Sequence, residues 1–122
     1  MPATIRLYAV TVDCPDPAAL AEFYSQLLSL KVSYSTDDFA GLDTDGGPAI
    51  GFQRVAAFNR PQWPDQSVPQ QFHLDLSVDD LAGAEEEAVR LGATVAAHQP
   101  NPDSARVLLD PAGHPFCLAA MG

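Results

Sequence analysis

His73 is the side chain in this 122-residue sequence best equipped for chemistry. An imidazole that is neutral near pH 7 can accept a proton, donate a hydrogen bond or ligate a metal. Its setting, FHLDLSV, alternates in polarity, which puts His73, Asp75 and Ser77 on one face of a strand and Leu74, Leu76 and Val78 on the other. Asp75 follows at a spacing of about 7 Å on that face, close enough to influence His73 without having to touch it. Cys117 lies between Phe116 and Leu118 and reads as an inert buried thiol, a reactive thiol or a soft metal ligand. Gln53 is a hydrogen-bonding amide and a weak oxygen donor. Trp63, the only tryptophan, stands between Gln62 and Pro64. It could cover the edge of a core or stack on a planar or cationic ligand. His114 follows Gly113 at a hairpin tip, where it could close a cavity or face solvent.

Other chemistries are absent. Gly46-Gly47 lacks the helix and lysine of a phosphate-binding loop, and no serine sits in a nucleophile elbow. Cys14 and Cys117 are the only cysteines, with no CxxC pair, as expected of free thiols in a reducing compartment. Sixteen acidic residues against six Lys and Arg give a net charge of -10. That surface disfavours nucleic acid and anionic membranes and would attract a cationic ligand. No apolar run is long enough to span a bilayer, and the opening residues lack a signal-peptide core. A cytoplasmic location is expected.

The elements that must position these residues can be read from periodicity. Strands are predicted at 5–14, 32–35, 39–42, 49–57, 72–78, 94–97, 107–109 and 115–119. A helix begins at Asp16-Pro17 and runs to Leu30, with Leu20, Phe23, Tyr24, Leu27 and Leu28 as its apolar stripe. A second begins at Asp79-Asp80 and ends before Gly92, with Leu81, Ala84, Ala88 and Leu91 facing inward. Residues 59–71 hold three prolines and read as an irregular linker.

The second half repeats the first. A shift of 64 carries Ala9 onto His73, Asp16 onto Asp80, Leu27 onto Leu91, and Phe52-Gln53 onto Phe116-Cys117. The expected architecture is a single α+β domain over residues 1–122. It consists of two βαβββ modules, 4–58 and 72–120, related by a pseudo-twofold axis and forming a cupped sheet around one cleft.

The segments VTVDCPDPAALAEFYSQLL, HLDLSVDDLAGAEEEAVRLGA and LLDPAGHPFCL together resemble the vicinal oxygen chelate superfamily. This group includes glyoxalases, bleomycin-resistance proteins and extradiol dioxygenases, and the sequence is most similar to its glyoxalase-like subgroup. The resemblance implies ligand positions on the first and last strands of each module, which fall on Ala9, Gln53, His73 and Cys117. Here the pattern breaks: Ala9 has no ligating atom, and Cys117 stands where a glutamate is usual. No metal cofactor is therefore expected; a divalent ion, if bound, would use His73, Gln53 and Cys117. Ala9 would instead leave room. The expected function is binding of a small organic molecule, aromatic or cationic, through His73, Gln53, Trp63, Asp75, Cys117, Ala9 and His114. The alternatives are a metal-assisted lyase or isomerase, a dioxygenase-like enzyme, or a protein-interaction or regulatory domain. Two-module members of the superfamily are commonly homodimers, and a homodimer is expected here.

Overall fold

Asp16 and Asp80 start the two helices in the same way. Each sits in extended backbone and accepts an amide hydrogen three residues on, from Ala19 at 3.2 Å and from Gly83 at 3.1 Å. This satisfies one of the first-turn donors that a helix cannot pair internally. Helix α1 (Pro17–Leu28) has proline at its first position and ends at Ser29 in the left-handed region. Helix α2 (Leu81–Leu91) ends at Gly92, whose φ of 125° suits only glycine.

The computed structural model describes residues 3–120. They form two compact units, one through Ala56 and one from Ala57 onward. The first contains β1 (Ala9–Cys14), α1, β2 (Val32–Ser35), β3 (Phe39–Leu42) and β4 (Ala49–Arg54). The second contains β5 (Leu74–Ser77), α2, β6 (Thr94–Val95), β7 (Ala105–Leu109) and β8 (Pro115–Ala119). Each is a βαβββ unit with one four-stranded mixed sheet, in the orders β1-β4-β3-β2 and β5-β8-β7-β6. The first and last strands of each unit pair in parallel, and the other pairings are antiparallel.

Each helix covers one face of its own sheet. Leu20, Phe23 and Tyr24 of α1 are buried with Val12, Ala40, Leu42 and Phe52, and the Tyr24 ring stacks on Phe52 at 5.9 Å. In the second unit Phe116, Leu118 and Leu108 are buried on the α2 side, where Glu85 of α2 pairs with Arg106 of β7 at 3.1 Å. The opposite faces carry the residues of chemical interest.

Several element ends differ from expectation. Strand β1 begins at Ala9 rather than at residue 5; its partner β4 begins at Ala49, so Ile5, Leu7 and Tyr8 run past the ladder and are exposed. Strands β4, β5 and β6 are shorter than predicted, and α1 stops at Leu28. Residues 59–71 are irregular as predicted, but they belong to the second unit, and the first unit stops two residues short of the expected module end. Arg60 donates to the Pro111 carbonyl at 2.9 Å, and Trp63 tilts against His98 at 5.4 Å. No helix among the described residues is long and apolar enough to cross a membrane.

The repeat is preserved in the helices and slips in the sheets. Pro17 and Leu81, 64 residues apart, open the two helices. In the first unit Asp13 pairs with Gln53, 40 residues on, whereas in the second Asp75 pairs with Cys117, 42 residues on. A two-residue slip leaves every side chain on its original face, because strand side chains alternate with period two.

Candidate functional site

On the face of the second sheet away from α2, the parity predicted for His73, Asp75 and Ser77 holds. Leu74 and Leu76 are half-buried, and the three polar residues are exposed. His73 Nε2 lies 3.0 Å from Cys117 Sγ and 3.3 Å from Asp75 Oδ1. Its Nδ1 lies 3.3 Å from Gln70 Oε1. The direct approach of Asp75 goes beyond the sequence expectation, since strand spacing alone left the two apart; the side chains lean along the strand and close the gap. Burial pushes the Cys117 thiol above its ordinary pKa, and the negative charge of Asp75 adds to the rise. The His73 side chain keeps 30% of its surface and Asp75 keeps 80%, so the cluster is open to solutes.

On the corresponding face of the first sheet lies a different surface. Gly41 and Gly51 are neighbours across β3 and β4. A Cβ on Gly51 would come within 2.8 Å of Phe39, and one on Gly41 within 2.9 Å of the Tyr34 ring. The two glycines thus form a bed on which Tyr34 and Phe39 lie nearly parallel, 5.5 Å apart. Tyr34 is half exposed. Phe39, Gln53 and Asp13 share one rung of this face, with the amide one strand and the carboxylate two strands from Phe39.

The sequence candidates fall in both units. His73, Asp75 and Cys117 come together. Gln53 is exposed and Ala9 half-buried, both in the first unit. Trp63 is half-buried against His98. His114 does not face solvent: it is fully buried, with Phe58 and Phe72 edge-on at 5.6 and 5.0 Å. Its amide donates to Asp110 Oδ1 at 3.0 Å, because the tight Asp110–Gly113 turn folds the chain back on itself. Sequence reasoning missed Gln70 and the stacked pair. The glycines facing aromatics on neighbouring strands were the available signal.

Two concavities, one in each unit, lie elsewhere. One of about 600 Å³ opens at the start of α2, lined by Ser77, Asp79, Asp80 and Gly83. One of about 1000 Å³ is lined by Arg6, Tyr8, Asp43 and Gly47. Neither contains the His73 cluster, and chemistry rather than volume marks the candidate site.

The family description "Glyoxalase-like domain" matches residues 9–119. Among solved structures, a glyoxalase/bleomycin resistance protein/dioxygenase family enzyme from Burkholderia phytofirmans PsJN is 26% identical at TM-score 0.72, over 97% of this chain and 100% of that one. A glyoxalase-related enzyme from Fulvimarina pelagi is 18% identical at TM-score 0.69, over 94% and 87%. A bleomycin-binding protein from Streptomyces verticillus, solved with copper(II)-bleomycin, is 18% identical at TM-score 0.58, over 99% and 100%. The last two are evidence of fold alone. No curated protein sequence matches the chain.

Proposed function

The chain belongs to the glyoxalase-like domain family, and from that premise we propose that it binds a small organic molecule that is planar, cationic or both. The observation that carries this reading is the Tyr34–Phe39 pair on its glycine bed, with Asp13 and Gln53 alongside. Half-exposed rings offer a stacking surface, and a neighbouring carboxylate favours positive charge. A few polar groups in an apolar setting is the usual make-up of a small-molecule site. The net charge of -10 favours the same class of ligand. No metal-centred step is needed in this proposal.

The proposal includes a homodimer, supported by the edge position of β1 and the exposed Ile5, Leu7 and Tyr8 just before it. Light scattering at tens of micromolar checks it.

A library of planar cations and neutral aromatics, screened by tryptophan fluorescence and followed by calorimetry, tests the binding reading. Binding that falls about tenfold or more in Phe39→Ala or Tyr34→Ala supports it; a loss of about 1.4 kcal/mol is the corresponding energy. Ligands that bind equally well to both variants overturn it. A metal-assisted lyase, isomerase or dioxygenase-like activity is the second reading. It is favoured by the convergence of nitrogen, oxygen and sulfur donors at His73, Asp75 and Cys117.

A further inference from the structure

We propose that His73, Asp75 and Cys117 form a site for a thiophilic divalent ion of the zinc class, built from the second unit alone, with Gln70 orienting the histidine. The ligand positions implied by family resemblance do not fit this chain, because Ala9 offers no donor. The second unit contains a replacement. One nitrogen, one oxygen and one sulfur lie within 4.8 Å of one another, and Asp75 of β5 supplies the carboxylate two residues after His73, which immediately precedes that strand.

The two distances to His73 Nε2 are close to those a small ion needs, and the Asp75 and Cys117 donors lie within 4.8 Å of each other. Tetrahedral zinc with bonds of about 2.0–2.3 Å needs its donors roughly 3.3–3.6 Å apart. Asp75 Oδ1 is already 3.3 Å from His73 Nε2. Cys117 Sγ, at 3.0 Å, has to withdraw by about half an ångström to reach that spacing. Asp75 and Cys117 are held opposite each other by the β5–β8 ladder, so two of the donors rest on adjacent strands rather than on a loop.

The hydrogen bonding points the same way. Nε2 can hold one hydrogen, yet both a carboxylate oxygen and a sulfur approach it. A cation at that point would serve all three donors at once. Gln70 Oε1 faces Nδ1 and accepts its hydrogen, which turns the Nε2 lone pair toward the other two. Histidine ligands to metals usually have such an acceptor on the opposite nitrogen. Thiolate, carboxylate and neutral imidazole together carry a charge of -2, which balances a divalent ion. Binding releases the Cys117 proton to solvent as the metal–sulfur bond forms. A sulfur donor disfavours magnesium and calcium, and a single histidine is not the two-histidine set of a non-haem iron oxygenase. Three protein ligands leave a fourth position open to water or a ligand. The site stands independently of the organic-ligand reading above.

The test is a titration of the chelator-treated 122-residue chain with cobalt(II), followed by absorption spectroscopy and by displacement with zinc(II). One equivalent is expected, with a thiolate-to-cobalt charge-transfer band that zinc abolishes. Cys117→Ser should remove the band, and Asp75→Asn should weaken binding at least tenfold. Gln70→Ala should weaken binding by roughly 10–100-fold while leaving the band in place. Gln26→Ala, an exposed amide on α1, should leave affinity unchanged. Circular dichroism establishes that each variant is folded, and Cys117→Ala replaces Cys117→Ser if the latter is not. Absence of a band at one equivalent overturns the proposal. So does a band that survives in both Cys117 variants, or an affinity unaffected by Asp75→Asn. None of these readouts depends on an organic ligand.

Discussion

Asp75 stands directly across the parallel β5–β8 ladder from Cys117, and both side chains reach the same nitrogen of His73. In the first unit the matching rung pairs Asp13 with Gln53 and adds Phe39. One framework therefore carries a compact polar cluster in one sheet and a stacking surface in the other.

The glycine bed should be sensitive to any added side chain. In Gly51→Val the new Cβ meets Phe39 at 2.8 Å and Thr11 Oγ1 at 3.1 Å, so the ring must leave its position. We expect the affinity for planar ligands to fall while helix content stays at wild type. Calorimetry and circular dichroism, run on the same preparation, separate the two effects.

Removing the cap at Asp80, as Asp80→Ala, leaves the Gly83 amide without its side-chain acceptor. The expected loss is about 0.5–2 kcal/mol, read from urea unfolding. Asp16→Ala should behave in the same way, because its geometry toward Ala19 is nearly identical.

Gly113 has a φ of 92°, and a Cβ there would lie 2.5 Å from Arg60 Cγ. Gly113→Ala should therefore cost on the order of 1–3 kcal/mol. Part of this is strain and part is collision. Combining it with Arg60→Ala should recover the collision part, and a double-mutant cycle in urea measures it. Strict additivity would show that Arg60 plays no part.

Phe52 is fully buried and stacked on Tyr24. Phe52→Ala should cost roughly 3–5 kcal/mol, a large share of a small protein's stability. Thermal unfolding checks this.

Asp65 gives a small acid-side dependence. The Ser67 amide donates to its carboxylate at 2.8 Å, and this bond, followed by the Ser67 hydroxyl, holds the carboxyl below its ordinary pKa. A depressed carboxyl stabilises the fold above its unfolded pKa, near 4. That contribution disappears as pH falls through the lower folded value. Chemical-shift titration of the Ser67 amide should follow this transition, and Asp65→Ala should abolish it.

Much of the frame was legible in the sequence because the signals are local. Asp-Pro at 16–17 and Asp80 fix both helix starts, and the alternation around His73 gives the correct face. The extent of β1 was not legible: Ile5, Leu7 and Tyr8 continue the apolar alternation, but whether they pair depends on where a partner 40 residues away begins. The burial of His114 was hidden for a similar reason, since Phe58 and Phe72, which enclose it, are distant in sequence. Contact between Asp75 and His73 depends on rotamers, and strand period does not determine those. The sheet register was invisible because an even slip leaves the polarity pattern intact.

That slip has a practical consequence for anyone transplanting residues between the two halves. A graft designed on the 64-residue repeat would send His73 to position 9 and Asp75 to position 11, and Asp75 would then lie opposite Gly51, two residues short of Gln53. Matching by ladder partner sends Asp75 to Asp13, which already has the correct side chain, Cys117 to Gln53 and His73 to Thr11. Two substitutions, Thr11→His and Gln53→Cys, would then write the second half's triad into the first.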